Sequence, residues 1–157
     1  MQTRPLVGSD YDRISPIVDQ WWGGRPVAHL LPRLFFQHFS NTSFAIDGDD
    51  GVQGFLVGLR SQSNPLLAYI HFIGIAPPSR GRGLGRLLYS QFFDSVKALG
   101  CTDVECITSP VNTGSVQFHR AMGFSLVDSG LEQNGFPVVA DEAGPGQHRV
   151  KFRRHLA

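Results

Sequence analysis

A turn rich in glycine and arginine is the most distinctive chemical feature of the sequence. It runs Arg80-Gly81-Arg82-Gly83-Leu84-Gly85-Arg86, between an apolar segment and an amphipathic one. A helix that begins here presents unpaired backbone N–H groups, which attract anions. Each cation at a helix start destabilises the helix by about 0.3–1 kcal/mol, yet three arginines flank this helix start. The turn therefore predicts a binding site for a diphosphate, although a solvated surface turn would have the same composition.

Histidine and tyrosine side chains close to this turn could move protons. Tyr69 and His71 stand at alternate positions of the apolar segment, which places them on one strand face together with Ile73 and Ile75. Histidine has a pKa of about 6.5 in model peptides, so an imidazole is a suitable base near neutral pH. His71 is therefore a candidate base, and a packed structural histidine is the alternative.

Two well-known phosphate-binding loops do not fit this turn. A Walker loop requires Gly-x-x-x-x-Gly-Lys-Ser/Thr, and neither Lys nor Ser/Thr follows Gly85. The dinucleotide fingerprint Gly-x-Gly-x-x-Gly does not match the glycine spacing, although Glu105 resembles the acid that binds ribose. Triphosphate hydrolysis is therefore disfavoured, and a nucleotide-dependent oxidoreductase stays open as an alternative.

The elements that position these residues are a strand, a glycine turn and an amphipathic helix. Leu66 to Ala76 is apolar and ends at Pro77-Pro78, which predicts a strand. From Gly83 to Leu99 the apolar residues share one helical arc, and Gly100 supplies a C-terminal stop. The turn is therefore predicted to open a helix directly after a buried strand.

The rest of the chain predicts the order β-α-α-β-β-β-α-β-α-β-β in a single domain, residues 1–157. The predicted segments are a strand from Thr3 to Val7, a helix opened by Ser9 or Asp10, a helical segment from Pro26 to His38, a hairpin of Ser43 to Asp47 with Val52 to Arg60, a strand from Asp103 to Thr108, a helix opened by Asn112 or Thr113, and strands from Phe124 to Asp128 and Arg149 to Arg154. The polar stretch from Gln133 to Gln147 is predicted to be a loop.

The composition narrows the classes of protein. The chain has 157 residues, of which 41% are hydrophobic, and this suffices for one core without disulfides or metal. Fourteen Lys and Arg against 13 Asp and Glu give a net charge of +1, so we expect no general nucleic-acid binding. Residues 1–10 hold no signal-peptide run, and no apolar stretch predicts a membrane span. Two cysteines without a ligand pattern predict no metal site and a reducing, cytoplasmic location.

The turn and the segments around it resemble a known family. Arg80-x-x-Gly83-x-Gly85, preceded by Ile75-Ala76-Pro77, is similar to the Gln/Arg-x-x-Gly-x-Gly/Ala acetyl-CoA signature of the GNAT N-acetyltransferases. Asn112, Ser115 and the run from Phe118 to Phe124 resemble that family's Asn-bearing strand end, short helix and terminal Gly-Phe pair. The motifs cover residues 69–127, and the element order covers the whole chain.

This resemblance implies a fold and a co-substrate. The implied fold class is α/β in the broad sense, with the α+β arrangement. It has a mixed, mostly antiparallel twisted sheet of about seven strands, with a central parallel pair splayed apart and about four flanking helices. Acetyl-CoA would be the co-substrate, with its pantetheine arm in the gap and its pyrophosphate on the turn. The implied cofactor-binding residues are Ile73, Gly74, Ile75, Arg80, Gly81, Arg82, Gly83, Leu84, Gly85, Arg86, Asn112, Ser115 and Phe118.

The resemblance also implies acetyl transfer to a primary amine of a small molecule or a peptide. His71 and Tyr69 lie where similar enzymes often place a group that takes the proton of the ammonium. The family's usual acid is a Tyr four residues before the Gly-Phe pair, and this sequence has His119 there. An imidazolium could protonate the thiolate, whereas a neutral imidazole could only donate a hydrogen bond. The missing tyrosine keeps open an alternative, a catalytically weak CoA-binding sensor or interaction module.

In similar proteins the first helix pair and the loop between the last strands form the acceptor pocket. The first of these regions contains Trp21, Trp22 and Arg25, and the tryptophans could line a substrate site or cap the core. Arg25 or Arg33 could contact a carboxylate. The acidic residues of the last loop that could attract an amine, or only solvate the loop, are Glu132, Asp141 and Glu142. Edge strands of such sheets often pair between subunits, so a homodimer is an open expectation.

Overall fold

The structure is a computed structural model that describes residues 1–157. Its strands are β1 (Thr3–Pro5), β2 (Phe44–Gly48), β3 (Gly51–Arg60), β4 (Leu67–Ile75), β5 (Asp103–Thr108), β6 (Ser125–Leu126), β7 (Leu131–Gln133), β8 (Phe136–Val138) and β9 (Val150–His155). Its helices are α1 (Asp10–Ile14), α2 (Val18–Trp21), α3 (Leu34–Gln37), α4 (Leu84–Ala98) and α5 (Thr113–Ala121), with short 3-10 turns at Ala28–Leu30 and Pro77–Ser79.

Seven strands form one sheet in the order β1-β2-β3-β4-β5-β9-β6, and β7 pairs with β8 in a separate hairpin. Every neighbouring pair in the large sheet is antiparallel except β4 and β5, which are parallel. The predicted fold, a mixed and mostly antiparallel sheet with one central parallel pair, is confirmed. The predicted hairpin of β2 and β3 is confirmed as well, with Gly48 opposite Gly51 at its tip.

The parallel pair is joined only at its beginning. Its register runs from Leu67 opposite Asp103 to Tyr69 opposite Glu105. Beyond these residues β4 continues to Ile75 and β5 to Thr108 without pairing with each other. The two strands therefore separate and leave a gap in the middle of the sheet.

A β-bulge in β4 reverses the faces of the sheet on which the later residues of the strand lie. Val57 of β3 pairs with Phe72 and Gly58 pairs with Ile70, so His71 is an extra residue without a partner on β3. Ile70 belongs to the apolar cluster under α4, and Phe72 belongs to the cluster on the opposite face. The predicted uninterrupted alternation along this strand is therefore wrong, because a bulge shifts the period by one residue.

The two faces of the sheet carry different helical layers. On one face, α4 and α5 pack on a cluster that includes Leu88, Phe92 and Phe152, and Ile73 and Ile75 contact the same cluster. On the other face, the short helices α1 to α3 contribute to a second cluster. Its members are Leu6, Ile14, Val18, Trp21, Val27, Leu31, Phe36, Ala45, Val52, Phe55, Val57, Phe72 and Ala76. The gap between β4 and β5 connects the two layers.

The first third of the chain differs in detail from the prediction. The helical segment expected from Pro26 to His38 is a 3-10 turn followed by the single-turn α3. Ser9 is the N-cap residue of α1, one of the two predicted positions, but its side chain makes no cap bond; the buried Asp10 accepts from the Val7 N–H and from Arg4. Tertiary contacts rather than helical propensity hold these short elements.

Two further features bear on assembly and on the last loop. The sheet ends in β1 and β6, which have three and two residues, so few backbone groups are free to pair with a second copy. The stretch predicted to be a loop contains part of the β7–β8 hairpin, whose tip is Asn134-Gly135 with both φ angles positive, 53° and 82°. This dipeptide is a strong hairpin signal.

Candidate active site

A cavity of about 280 Å³ lies where β4 and β5 separate. Both layers of the fold contribute to it, together with the segment that precedes β9. The lining residues are Trp22, Arg25, Val27, Leu30, Tyr69, Ile70, His71, Phe72, Ile73, Tyr89, Cys106, Ile107, Thr108, Ser109, Asn112, Ser115, His119, Ala143 and Arg149. The three residues proposed for catalysis from the sequence, Tyr69, His71 and His119, are therefore brought together around one space.

The glycine-rich turn opens α4 next to this gap. Gly81 and Gly83 have positive φ angles of 76° and 80°, a conformation that only glycine adopts without strain. Gly83 is the N-cap residue of α4. The backbone N–H groups from Gly81 to Arg86 donate to no acceptor in the chain. These free donors and the missing Cβ atoms fit an anion with several oxygens, such as a diphosphate.

The three arginines of the turn do not act alike. The Arg80 guanidinium donates to the backbone oxygen of Ile75, at 3.2 Å, and to that of Trp21. It thereby ties the end of β4 to α2. Arg82 and Arg86 are exposed and make no side-chain hydrogen bond or salt bridge. These two side chains, rather than all three, are free to meet an anion.

The far side of the turn is formed by α5. A Cβ on Gly85 would lie 3.3 Å from the Phe118 ring and 3.9 Å from Ile73, so α4, α5 and β4 meet closely here. Asn112 caps α5, because its side-chain oxygen accepts from the Ser115 N–H at 3.2 Å. Asn112 and Ser115 line the cavity, and Phe118 packs beside Gly85 without being among its lining residues.

His71 occupies the unpaired position of the β4 bulge. Its Nε2 lies 2.6 Å from the backbone oxygen of Leu30, and its ring stacks on Phe35 with centroids 4.3 Å apart. A carbonyl oxygen only accepts, so Nε2 carries the hydrogen and donates it. In the neutral imidazole, Nδ1 is then left with a free lone pair that can take a proton.

Tyr69 lies on the same side of the sheet as His71. Its neighbours Ala68 and Ile70 both belong to the cluster under α4, so the alternation before the bulge directs Tyr69 to the opposite face. Burial raises the pKa of Tyr69 to about 12. The phenol therefore stays protonated at neutral pH and acts as a hydrogen-bond donor, not as a base.

His119 is buried, with 4% of its surface exposed. Its Nδ1 lies 2.7 Å from the Ser115 carbonyl oxygen, and its Nε2 lies 2.7 Å from the hydroxyl of Tyr89 on α4. Because the carbonyl can only accept, Nδ1 donates to it and Nε2 accepts from the Tyr89 hydroxyl. Burial lowers the pKa of His119, which favours this neutral form.

The two tryptophans lie in different places. Trp21 is 8% exposed, packs on Phe55 in the core and does not line the cavity, so it is removed from the proposed substrate-binding set. Trp22 lines the cavity and packs on Phe72, with ring centroids 4.8 Å apart. Arg25 also lines the cavity.

Other charges near the cavity are engaged elsewhere. Arg33 binds Asp12 at 2.9 Å, outside the cavity. A salt bridge of 2.7 Å joins Glu142 to Lys151. The remaining acids named from the sequence are Asp141, which lies 3.7 Å from His148, and Glu132, which is exposed on β7.

Among the cavity residues that sequence reasoning missed, three have ionisable side chains: Tyr89, Cys106 and Arg149. Tyr89 lies one helical turn after Gly85, so the helical period could have placed it beside the gap. Cys106 is a buried free thiol on β5 whose pKa is raised by burial. No sequence signal indicates Arg149, which reaches the site through the antiparallel pairing of β5 with β9.

The fold and this site together define a class of protein. A mixed sheet whose parallel pair separates over a cavity, beside a glycine-rich helix start, is the architecture of the acyl-CoA N-acyltransferases. A family model described as "Acetyltransferase (GNAT) family" matches residues 11–124. The chain belongs to this family.

Three known proteins illustrate the similarity. The chain is 28% identical over 71% of its length to L-2,4-diaminobutyric acid acetyltransferase of Nocardia farcinica. It is 32% identical, also over 71% of its length, to streptothricin acetyltransferase of Streptomyces lavendulae. These matches span 59% and 56% of the two relatives, little more than half of their lengths. The crystal structure of a phosphinothricin acetyltransferase from Sinorhizobium meliloti in complex with AcCoA superposes with a TM-score of 0.71 at 19% identity, covering 99% of this chain and 88% of that one.

No group of three or more His, Cys, Asp and Glu side chains is placed to hold a metal ion. None of the helices is both long and apolar enough to cross a bilayer.

Proposed function

We propose that this protein transfers the acetyl group of acetyl-CoA to a primary amine of a small molecule. The observation that carries the proposal is the cavity between β4 and β5, which is lined by His71 and by Tyr89 of α4, the helix that the glycine-rich turn opens. Family membership and the names of the similar enzymes support it.

The fit of acetyl-CoA rests on features of the turn. The N–H groups from Gly81 to Arg86, together with Arg82 and Arg86, would hold the diphosphate. The part of β4 from Ile73 to Ile75, which pairs with β3 but not with β5, would bind the pantetheine amides, and Asn112 and Ser115 would lie opposite it. Bound acetyl-CoA supplies an activated thioester, and this chain's side chains supply the proton chemistry.

His71 is the proposed base. An acceptor amine is protonated in neutral water and must lose a proton before it can attack. The free lone pair on Nδ1 of His71 can take that proton, directly or through a water molecule, while Nε2 holds the ring against Leu30. Tyr69 supplies a hydrogen bond on the same side of the sheet.

The Tyr89–His119 pair is proposed to act on the leaving thiol. A thiol has a pKa of about 8.5 in model compounds, so a departing thiolate near neutral pH needs a hydrogen bond more than a strong acid. The Tyr89 hydroxyl can supply this bond when its hydrogen turns from His119 towards the cavity. We assign His119 to holding that hydroxyl in place until the thiolate forms, because Nε2 accepts the hydroxyl hydrogen while Nδ1 is bound to the Ser115 carbonyl.

A decisive test combines a binding titration with thiol release. Calorimetry measures the association of acetyl-CoA and CoA, and a thiol reagent follows acetyl transfer to a panel of amines that includes 2,4-diaminobutyrate and streptothricin. We expect binding together with release that depends on the acceptor. Binding without release for any amine supports the CoA-binding sensor instead, and no binding at millimolar CoA contradicts both functions.

A further inference from the structure

The charges that line the cavity are unbalanced. Two guanidinium groups, Arg25 and Arg149, face it together with His71 and His119. None of the lining residues is Asp or Glu. Any bound acceptor therefore meets a positive potential, which favours a negatively charged group on that molecule.

Neither guanidinium is neutralised by the chain itself. Arg25 is exposed and makes no side-chain hydrogen bond or salt bridge. Arg149 donates to the His148 backbone oxygen at 2.8 Å and to the Gln147 side-chain oxygen at 3.3 Å, both of which are uncharged. Elsewhere in the chain, Arg33 pairs with a carboxylate at 2.9 Å. Neither cavity arginine forms an ion pair within the chain, so both can pair with an anionic ligand.

Carboxylates at the border of the cavity are not available to fill this role. The Asp19 side chain accepts from the N–H groups of Val27 and Ala28, both at 2.8 Å. Glu142, next to the lining residue Ala143, is bound to Lys151. Neither of these acids lines the cavity, and both are already bound within the chain.

Arg25 lines the cavity, whereas no residue of the turn from Arg80 to Arg86 does. It follows Trp22, which packs on Phe72, and precedes Leu30, which holds His71. The anion of the coenzyme is already matched by Arg82, Arg86 and the free amides of the turn. A different anion is needed to pair with Arg25.

We propose that the acceptor is an amine that also bears a carboxylate, with Arg25 and Arg149 binding the carboxylate while the amine faces His71. This inference rests on the proposed acetyl transfer and adds the class of substrate. Guanidinium groups bind carboxylates through paired, charge-assisted hydrogen bonds. The aromatic surface of Trp22 suits an apolar body between the two polar ends of such a molecule.

The experiment compares acceptors that differ only in the carboxylate. Three series are used: L-phenylalanine, its carboxamide and 2-phenylethylamine; L-leucine, its carboxamide and isoamylamine; and 2,4-diaminobutyrate with 1,3-diaminopropane. Acetyl transfer is followed by thiol release. In at least one series we expect kcat/KM for the acid to exceed that for its neutral analogues by about tenfold or more, the usual worth of a charge-assisted bond.

The variants Arg25→Gln and Arg149→Gln test the assignment. Each is expected to raise KM for the acid about tenfold, to leave the neutral analogues unchanged and to leave the Kd of acetyl-CoA unchanged. Arg33→Gln, which removes the same charge outside the cavity, is the matched control. Equal or better use of the neutral analogues in every series overturns the proposal, and so does a loss of acetyl-CoA affinity in Arg25→Gln without a change in KM for the acid.

A binding arm separates this proposal from the proposed function. With CoA present, calorimetry compares N-acetyl-L-phenylalanine and N-acetyl-L-leucine with their carboxamides, which requires no turnover. Tighter binding of the acids, lost in Arg25→Gln, supports the carboxylate site even if catalysis is slow. Absence of any preference for the acids overturns it, whereas absence of CoA binding contradicts the proposed function.

Discussion

The two sides of the splayed sheet differ in how they are built. On the side of α4 and α5, two long helices cover a cluster with the buried pair Tyr89 and His119 at its edge. On the side of α1 to α3, helices of four or five residues are joined by loops. His71 there is bound only through Leu30 and Phe35, and Arg25 makes no polar side-chain contact at all.

This difference shows how one cavity can combine the binding of a constant coenzyme with the binding of an acceptor that varies. The proposed coenzyme side offers backbone N–H groups and packed rings, whose geometry does not depend on the acceptor. The proposed acceptor side offers long or weakly held side chains on short elements, whose replacement disturbs little of the core. Substitutions on the two sides should therefore give different signatures in binding, turnover and stability.

The largest effect is expected for His71→Ala. Loss of a general base lowers kcat by about 100-fold or more, while binding of acetyl-CoA stays as in the parent protein because the turn is untouched. Steady-state kinetics with the best acceptor and calorimetry with CoA measure the two quantities. His38→Ala, at an exposed histidine outside this cavity, is the matched control. Equal kcat in His71→Ala and His38→Ala would show that the base lies elsewhere.

The next largest effect concerns the coenzyme side. Replacement of both Arg82 and Arg86 by Glu is expected to weaken CoA binding about 100-fold, since each lost phosphate contact contributes about a factor of ten. Arg80→Gln should instead lower the free energy of unfolding by about 1 kcal/mol through its lost bonds to Trp21 and Ile75. Calorimetry and urea unfolding distinguish these outcomes. Arg120→Glu, a charge reversal at an exposed position on α5, is the control. An equal loss of affinity in Arg80→Gln would contradict the division of roles.

The smallest effect is a pH dependence of stability on the same side. The pKa of His119 is lowered by burial, so the unfolded chain binds a proton more readily than the folded one. The stabilisation is complete above the unfolded pKa of about 6.5 and is lost as the pH falls towards the lower folded value.

Urea unfolding between pH 7 and pH 5 measures this component. His119→Asn should be less stable than the parent at pH 7 by about 1–3 kcal/mol, because Tyr89 loses its acceptor, and its stability should fall less steeply with acid. Tyr89→Phe keeps His119 and should keep the steep fall. An unchanged slope in His119→Asn would mean that His119 is not the residue that titrates.

How much of this could be predicted from the sequence depends on how local each signal is. The turn around Gly83 is contained in seven consecutive residues, and its place before an amphipathic helix is visible in the sequence. The fold and the turn were therefore predicted, while the separate role of Arg80 was not, because its partner Trp21 is 59 residues away.

The acceptor side could be predicted only in part, because its geometry depends on tertiary contacts. The sequence placed Trp21 and Trp22 in one substrate-binding set, and burial separates them. It placed His119 on the inner arc of its helix correctly, but the Tyr89 hydroxyl that occupies Nε2 comes from another helix, 30 residues away. The face assignments in β4 failed from the bulge at His71 onward, because the bulge, which no periodicity shows in advance, reverses the faces of Ile73 and Ile75 relative to the prediction.

The bulge has a consequence for how such a protein can change over generations. His71 has no partner on β3, so another amino acid at this position would leave the ladder of hydrogen bonds intact. The side chain at this position, where the reaction is proposed to begin, can therefore change without altering the pairing of the strands. A new reactive group could be tried there without first rebuilding the sheet that carries it.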